Sequence, residues 1–400
     1  MTVYIADKLP QQAVDELSDL GLNVENNPGA SADDLSKGIV DAHALIVRST
    51  VVSKDCIKKS PNLSLIVRAG AGVNNIDIQA ASEMGIYVAN CPGKNAIAVA
   101  ELSMGLILAA DRYLAESIIQ FRSGSWNKAA YSKADGLYGK TLGIIGTGQI
   151  GQEVIKRAQA FGMKVVAWSR SLNEEMADEL EIIRAKNIEE VASKSDILSI
   201  HLALNSDTRG IISKTVLSKL KDGSLVVNTS RAEVLDEDAL FEELKSGRLK
   251  AGLDVFSNEP EFKKGEFSHR FQSLDNVYVT HHTGASTMQA QLAVAADAVD
   301  IIRGYVREGK VRNWLNRCEH TEAPWQLVVR HFDKPGVIAN VMTELKDAQI
   351  NAQELENVIF EGKKTACCTI QLDAEPSKET LQNIRTRQDE VISATLTPRS

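Results

Sequence analysis

Side chains that could carry acid–base chemistry follow three apolar runs in the middle of the chain. Arg231 comes just after the run SLVVN, Glu259 shortly after AGLDV, and His282 shortly after VYVT. Because the carboxyl ends of parallel strands meet at one edge of a sheet, we expect the three side chains to converge. A histidine held by a carboxylate can exchange a proton near neutral pH, and an arginine can bind a substrate carboxylate. Taken singly, each has a structural explanation, as a surface cation, a loop acid or a turn histidine.

A glycine-rich turn between two apolar runs predicts a dinucleotide site. Gly146, Gly148 and Gly151 have the G-x-G-x-x-G spacing, after the run TLGII and before a helical pattern that ends at Gly162. The first glycine allows a tight turn, the second lets the backbone approach a pyrophosphate, and the third lets the helix pack on the strand. The N-terminus of that helix offers N–H groups to the phosphates. The strand–turn–helix–strand context favours this interpretation over an unspecific glycine turn.

The position that often carries a ribose-binding acid is occupied by Ser169, which is followed by Arg170. A carboxylate there would bind a ribose 2′-hydroxyl and repel a 2′-phosphate. A hydroxyl and a guanidinium instead suit phosphate oxygens, so this pair favours NADP. The alternative is a solvent-exposed arginine in a protein that binds NAD.

The rest of the pattern predicts the elements that would position these residues. Apolar runs alternate with helical patterns over about the first ninety residues, and Asn95–Ala110 is a helical pattern that is apolar nearly all round. Such a helix is expected to be buried, plausibly where two domains meet. We therefore predict an α/β protein with two Rossmann or flavodoxin-like domains, each built on a doubly wound parallel sheet. Met288–Glu308 is a long helical pattern that is expected to return the chain to the first domain.

A third unit is predicted after the polar segment Cys318–Pro324. The strand and helix patterns that follow have the order βαββαβ, which is the ferredoxin-like arrangement. The predicted division is a substrate domain of residues 1–94 and 288–316, a dinucleotide domain of 95–287, a linker of 317–324 and a C-terminal domain of 325–400.

Composition argues against several classes of function. The chain has 400 residues, a net charge of −8 and no basic cluster, so nucleic acid is not an expected partner. No apolar run approaches the roughly 18 residues that suggest a membrane span, and no signal peptide is evident, so a cytoplasmic protein without a membrane partner is expected. No group of histidine, cysteine and acidic residues has metal-ligand spacing, so no metal site is predicted.

Four segments resemble signatures of the D-isomer-specific 2-hydroxyacid dehydrogenases in order and spacing: GTGQIGQEV, NTSRAEVLDEDAL, GLDVFSNEP and HHTGAST. The resemblance covers residues 1–315 and implies a nicotinamide-dependent oxidoreductase. It also implies Arg231, Glu259 and His282 as the catalytic set. The histidine would exchange the hydroxyl proton while the cofactor exchanges a hydride at C2. A proline usually precedes this histidine in the family, whereas this chain has His281.

Within the family, IVRST and VRAGAGVNN are most similar to segments of the phosphoglycerate dehydrogenases. This similarity implies oxidation of 3-phospho-D-glycerate to 3-phosphooxypyruvate with NAD(P), of which NAD is the usual cofactor of the family. The substrate contacts that it implies are Arg48 and Arg68 for the phosphate, and Gly70, Ala71, Gly72 and Val73 for the carboxylate. The further cofactor contacts that it implies are Gln149, Ile150, Thr229 and Asp254.

The C-terminal unit resembles ACT domains, which are regulatory modules that bind amino acids. Its segment RHFDKPG resembles their strand–turn signature, and Asn351 lies at the start of the second predicted strand. The resemblance implies an L-serine effector at His331, Asp333 and Asn351, bound between paired domains of a homodimer or homotetramer. We expect the motif to bring Asp333 and Asn351 to one edge of the sheet. Asp333 replaces the asparagine usual in serine-sensing versions, so another amino acid or a purely structural module is the alternative.

Two other functions are compatible with the sequence. An NADPH-dependent hydroxypyruvate or glyoxylate reductase is favoured by Ser169 and Arg170, whereas Arg48 and the ACT-like unit favour phosphoglycerate. A nucleotide-sensing corepressor could share the fold. It would not need an acid–base pair such as Glu259 and His282.

Overall fold

The computed structural model describes residues 1–29, 32–260, 264–318, 323–387 and 389–399. The chain divides into two units, Met1–Asn316 and Arg317–Ser400. Within the described ranges, no helix is long and apolar enough to cross a membrane, and no group of three or more histidine, cysteine or acidic side chains could hold a metal ion. Residues 319–322 of the predicted linker lie outside the described residues.

The first domain contains a five-stranded parallel sheet of order β2-β1-β3-β4-β5, which is the flavodoxin-like order. Its strands are β1 (Thr2–Ile5), β2 (Asn23–Asn26), β3 (Ala44–Val47), β4 (Leu65–Arg68) and β5 (Tyr87–Asn90), and its helices are α1 (Gln11–Asp19), α2 (Ala32–Gly38), α3 (Lys54–Lys58) and α4 (Ile78–Glu83). The apolar strand β3 is buried along its whole length, because helices cover both faces of such a sheet.

The second domain contains a seven-stranded parallel sheet of order β12-β11-β10-β9-β6-β7-β8. Its strands are β6 (Thr141–Ile145), β7 (Lys164–Trp168), β8 (Ile183–Arg184), β9 (Ile197–Ile200), β10 (Leu225–Asn228), β11 (Lys250–Leu253) and β12 (Val277–Val279). Its helices are α5 (Ala96–Arg112), α6 (Leu114–Arg122), α7 (Gln149–Ala160), α8 (Glu174–Glu179), α9 (Ile188–Lys194), α10 (Lys214–Ser218) and α11 (Glu237–Lys245), with 3₁₀ turns at Ala232–Val234 and Arg270–Ser273. The strand order reverses at β6, and this reversal creates the crevice in which Rossmann domains bind dinucleotides.

Two long helices connect the domains of the first unit. The apolar residues of α5, among them Met104 and Ile107, are buried against the seven-stranded sheet. Helix α12 (Met288–Glu308) buries Ala298 and Ile302 against the five-stranded sheet. Beyond it, Trp314 packs edge-on against Tyr87, with ring centroids 4.7 Å apart. The chain therefore returns to the first domain after completing the second.

The second unit contains a four-stranded antiparallel sheet of order β14-β15-β13-β16. Its elements are β13 (Trp325–Phe332), α13 (Val337–Asp347), β14 (Ala352–Ile359), β15 (Thr365–Leu372), α14 (Lys378–Thr386) and β16 (Val391–Pro398). Alternate residues of β15 are buried, as expected for a sheet with one covered face. The predicted βαββαβ unit and both predicted parallel-sheet domains are thus confirmed.

Candidate active site

A cleft of about 970 Å³ is lined by residues from both α/β domains of the first unit, where the carboxyl ends of their strands face it. It is lined on one side by the turns after β1, β3 and β4, and on the other by the turns after β10 and β11 and by the turn before α12. The ionisable side chains that line it include Asp7, Arg48, Arg68, Arg231, Glu259 and His282. The structure therefore brings the three predicted catalytic side chains together.

His282 is held by Glu259 at the side of this cleft. Nδ1 of His282 lies 2.6 Å from Oε2 of Glu259, and Oε1 of Glu259 accepts the backbone N–H of Phe256 at 2.9 Å. Burial alone would raise the pKa of the Glu259 carboxyl, but the hydrogen bonds from His282 and Phe256 outweigh it and hold that pKa below its usual value. Glu259 is thus ionised at neutral pH and accepts a hydrogen bond from the Nδ1–H group of His282. This leaves Nε2 of His282 as the nitrogen that can exchange a proton with a substrate.

The turn that carries His282 is fixed by Asp254, whose side chain is buried. Oδ1 of Asp254 accepts the Thr280 hydroxyl at 2.5 Å and the Thr283 N–H at 2.8 Å, while Oδ2 accepts the Gly284 N–H at 2.8 Å. The Asp254 carbonyl accepts the N–H of His282 at 2.8 Å. His282 has a φ of 51°, which few residues other than glycine adopt. These four bonds hold the imidazole in place, a positioning role that the sequence did not reveal.

Three arginines face the same cleft, Arg48 and Arg68 from the first domain and Arg231 from the second. Burial, together with repulsion from Arg231 and Arg48, lowers the pKa of Arg68. Nε of Arg68 is buried without a hydrogen-bond partner in the part of the chain that the structure describes. A cluster of like charges of this kind is stabilised by an anionic ligand that accepts its hydrogen bonds.

Two glycines let the arginines approach the backbone of residues 70–73. Gly70 has a φ of +151°, and a Cβ there would overlap the guanidinium of Arg68. A Cβ on Gly72 would lie 2.5 Å from Nη2 of Arg231. Arginines from both domains are therefore adjacent to the turn predicted to bind the substrate carboxylate. Its other two members are Ala71, whose carbonyl accepts the amide of Asn90 at 2.6 Å, and Val73.

The glycine turn of the second domain has the form that a dinucleotide site needs. Gly146 has a φ of +98°, and a Cβ on Gly146 or Gly151 would overlap backbone atoms. Helix α7 begins directly after Gly148, beside a pocket of about 210 Å³ lined by Gly146, Gly148, Ser169 and Arg170. These residues fit a dinucleotide, since a free helix N-terminus and a narrow glycine turn accommodate its pyrophosphate.

The other positions predicted to contact the cofactor have partners within the protein. The side chain of Gln149 lies over Gly93, where a Cβ would displace it. Ile150 packs against the core of the second domain, and the Thr229 hydroxyl lies 3.0 Å from that of Ser103. Their contacts with a cofactor stay a prediction, as does that of Asp254.

Comparison with known proteins decides the family. Residues 104–284 match the family model for the D-isomer specific 2-hydroxyacid dehydrogenase, NAD binding domain. The chain is 36% identical over 363 residues to D-3-phosphoglycerate dehydrogenase of Methanocaldococcus jannaschii, covering 90% of this chain and 67% of that protein. It is 42% identical over 302 residues to hydroxypyruvate reductase of Thermotoga maritima, covering 75% of this chain and 96% of that one. The chain belongs to the D-isomer specific 2-hydroxyacid dehydrogenase family.

A solved relative supports the same assignment. The NAD⁺-bound 3-phosphoglycerate dehydrogenase of Entamoeba histolytica superposes with a TM-score of 0.66 at 28% identity, covering 79% of this chain and 99% of that chain. The chain spans about two thirds of the length of the curated phosphoglycerate dehydrogenases that it matches. The predicted enzyme class is therefore confirmed, and the protein is a nicotinamide-dependent oxidoreductase.

In this dehydrogenase, Asp7 positions the turn that carries Arg48. Oδ2 of Asp7 accepts the backbone N–H groups of Arg48, Ser49 and Thr50 at 2.6, 2.9 and 3.0 Å. Burial would raise the pKa of the Asp7 carboxyl, but these hydrogen bonds outweigh it and lower that pKa. The three backbone N–H groups stabilise the charge of the carboxylate. Asp7 can therefore stay ionised beside a site that binds an anion. The sequence offered only an aspartate after the first strand as a signal.

The predicted NADP determinant, Arg170, has a partner that the sequence did not indicate. Nη1 of Arg170 lies 3.0 Å from Oδ2 of Asp207, and the Ser169 hydroxyl lies 3.2 Å from that of Ser171. The guanidinium of Arg170 is therefore already paired beside the pocket.

The predicted effector residues do not converge within one copy of the second unit. His331 is buried, and its Nε2 lies 3.1 Å from Oδ1 of Asn357. The Asp333 N–H donates to the carbonyl of Lys364, whereas the Asn351 N–H donates to the carboxylate of Asp373. These two acceptors flank opposite ends of β15. The expectation that the motif brings Asp333 and Asn351 to one edge is therefore wrong, because β13 and β14 run in the same direction, so that the end of β13 and the start of β14 lie at opposite ends of the sheet.

We expect the Glu259→Gln substitution to shift the pH dependence of oxidation. The hydrogen bond that His282 donates to Glu259 raises the pKa of His282, against the opposing effect of partial burial. Oxidation needs neutral His282, because the imidazole must accept the hydroxyl proton. The kcat/KM for oxidation should therefore increase as the pH rises through this raised pKa. Glutamine removes the charge that stabilises the imidazolium, so the increase should occur at lower pH. In addition, kcat should decrease about 10–100-fold, as when the carboxylate that orients a functional histidine is removed.

Initial rates of oxidation between pH 5 and pH 9, roughly the range in which a histidine titrates, measure this shift. Glu233→Gln is the matched control, because Glu233 also faces the cleft but makes no contact with His282 among the described residues. A Glu259→Gln profile that coincides with that of the parent would contradict the assigned role of Glu259.

Proposed function

We propose that the enzyme oxidises 3-phospho-D-glycerate to 3-phosphooxypyruvate, the first step of L-serine synthesis, with NAD(P) as the cofactor. The observation that carries the proposal is the cluster of Arg48, Arg68 and Arg231 beside the His282–Glu259 pair. A carboxylate and a phosphate together bring close to three negative charges at neutral pH. Three arginines match this ligand, whereas an acid with a single carboxylate would leave part of the cluster without a counter-charge.

The positions of the residues support the following roles. Arg231 and the backbone of 70–73 bind the substrate carboxylate, and Arg231 polarises the oxygen on C2. Arg48 and Arg68 bind the phosphate. Nε2 of His282 accepts the proton of the C2 hydroxyl, and Glu259 stabilises the imidazolium that forms.

The bound cofactor supplies the acceptor for the C2 hydride. Loss of this hydride and of the hydroxyl proton converts the alcohol into a ketone, and the proton passes from His282 to solvent. In reduction, protonated His282 donates to the forming alkoxide. The hydrogen bond to Glu259, which raises the pKa of His282, stabilises this protonated form.

The second candidate is an NADPH-dependent hydroxypyruvate or glyoxylate reductase. The similarity to the Thermotoga maritima hydroxypyruvate reductase and the Ser169–Arg170 pair favour it. Steady-state rates with 3-phospho-D-glycerate, hydroxypyruvate and glyoxylate, each with NAD(H) and NADP(H), separate the candidates. We expect the phosphorylated substrate to have the highest kcat/KM. A higher value for hydroxypyruvate or glyoxylate would favour the second candidate.

We further propose that the enzyme is a homodimer or homotetramer in which second units pair side by side. Strand β14 is an edge of its sheet, and the side chains of Leu355, Val358 and Ile359 are 43–52% exposed. An exposed apolar edge strand favours pairing with another chain. In the first unit, α6 has no buried residue and exposes Ile119 and Phe121 by 67% and 70%, which supports a second contact between copies.

Pairing would also complete an effector site. Asp333 and Asn351 lie at opposite ends of one sheet, so a ligand that contacts both needs these residues from two copies. We propose L-serine as this ligand, with another amino acid as the alternative because Asp333 adds a carboxylate. A ligand at the seam can inhibit only if it binds two states of the assembly with different affinities.

Deleting residues 320–400 is expected to abolish inhibition by L-serine while leaving appreciable turnover, because no candidate catalytic residue lies there. The measurement is the initial rate at millimolar L-serine for the full chain and the shortened chain. Asp333→Asn is the comparison variant, and it should increase the apparent serine affinity by removing a charge that repels the ligand carboxylate. A full chain that serine neither inhibits nor binds calorimetrically would contradict serine as the effector.

A further inference from the structure

We propose that Asp207 determines cofactor specificity by opposing the 2′-phosphate of NADP. The proposal rests on dinucleotide binding by the second domain and is independent of which acid the enzyme oxidises. Its central observation is the ion pair between Nη1 of Arg170 and Oδ2 of Asp207, at 3.0 Å. Considered alone, Ser169 and Arg170 favour NADP. The ion pair with Asp207 argues against that preference.

Both members of the pair line the pocket beside the glycine turn. Arg170 follows β7, and Asp207 follows β9, the strands on either side of β6. The pocket also contains Gly146 and Gly148, so it lies at the crevice where the strand order reverses. A ligand whose pyrophosphate binds at the glycines would place its adenosine ribose near the ends of these strands.

The loop that carries Asp207 is held in place by its own hydrogen bonds. Oδ1 of Asn205 accepts the N–H groups of Asp207 and Thr208, each at 3.0 Å, and the Thr208 hydroxyl donates to the carbonyl of Ala203 at 2.6 Å. The Asp207 carboxylate is therefore carried by an ordered turn. Arg170 reaches it with a long side chain that can move when a ligand binds.

Asp207 supplies a carboxylate to a pocket that lacks one at the end of β7. The carboxylate neutralises the guanidinium that would otherwise attract a 2′-phosphate, and it repels the phosphate directly. The 2′-hydroxyl of NAD brings no charge and can donate a hydrogen bond to a carboxylate. The side chains of Arg170 and Asp207 are 66% and 68% exposed, so solvent and salt screen the pair and its effect is moderate.

Fluorescence titration of NADH and NADPH without substrate tests the proposal. Asp207→Asn should tighten NADPH binding by about three- to tenfold while changing NADH binding by less than about twofold. The selectivity gain should shrink in high salt, since screening weakens exposed charges. Adding Arg170→Ala to Asp207→Asn should remove most of the gain, because the released guanidinium supplies it.

Asp222→Asn is the matched control. Asp222 also pairs with an arginine, Arg248 at 3.7 Å, and is 88% exposed, but it does not line the cofactor pocket. It should leave both dissociation constants unchanged. An Asp207→Asn variant whose ratio of NADPH to NADH dissociation constants equals that of the parent would overturn the proposal, and Asp207→Ser checks that result with a second side chain. If the parent bound neither dinucleotide, both this proposal and the assigned role of the second domain would be overturned. If the parent bound them but did not oxidise phosphoglycerate, only the proposed substrate would be contradicted.

Discussion

Replacing His282 with alanine is expected to lower kcat by about 10²–10⁴-fold, the usual contribution of a general acid–base. His282 is the only histidine among the described residues that faces the cleft, and Glu259 orients its imidazole at 2.6 Å. Cofactor binding should change little, because the glycine turn and its pocket do not include His282. Steady-state rates and fluorescence titration of NADH measure the two effects separately.

The neighbouring histidine provides the control for this experiment. His281→Ala changes an exposed residue that does not line the cleft, and its kcat should stay close to that of the parent. If His282→Ala retained turnover within a few-fold of the parent, His282 could not be the proton-exchanging residue. Equal losses in both variants would point to a disturbed turn.

Replacing Arg68 with methionine is expected to lower kcat/KM for the phosphorylated substrate by about 10²-fold or more. A hydrogen bond to a charged group contributes about 1.5–3 kcal/mol, and a guanidinium can donate more than one to a phosphate. Methionine retains much of the side-chain length and volume, so the glycine-lined space around Arg68 stays filled. The kcat/KM for hydroxypyruvate, which lacks the phosphate, should decrease by less than about tenfold, because it loses no comparable contact.

Arg303→Met is the matched control for this variant. Arg303 belongs to the same unit and pairs with Glu16 at 3.3 Å, but it lies on α12 away from the cleft. It should leave both substrates unaffected. An Arg68→Met variant whose kcat/KM decreases equally for both substrates would show that Arg68 does not bind the phosphate.

The convergence of the three candidate catalytic side chains could be predicted from the sequence because its signals are local. An apolar run followed by a polar turn marks the carboxyl end of a strand, and parallel strands bring such ends together. Arg231, Glu259 and His282 line one cleft for this reason. The glycine spacing and the βαββαβ order are likewise properties of short segments, so both could be predicted without long-range information.

The groups that hold the site could not be predicted because their contacts are distant in sequence. Asp7 binds a turn 41–43 positions away, and Asp207 pairs with Arg170 across 37 positions. In the sequence alone, Asp7 and Asp207 are each an aspartate that follows a strand, and nothing indicates their partners. The polar strand β2 could not be predicted for the same reason, since its extended conformation depends on pairing with β1. The separation of Asp333 and Asn351, by contrast, follows from the order of elements, because a helix joins β13 to β14 and the two strands therefore run in the same direction.

We expect the cleft to select a phosphorylated 2-hydroxy acid. Reduction of 3-phosphooxypyruvate and of hydroxypyruvate by the parent enzyme tests it most directly, because the two oxo acids differ only in the phosphate. We expect kcat/KM for 3-phosphooxypyruvate to be higher by about 10²-fold or more, in line with the charge-assisted contacts of Arg48 and Arg68. Equal values for the two oxo acids, or a preference for hydroxypyruvate, would contradict selection for the phosphate.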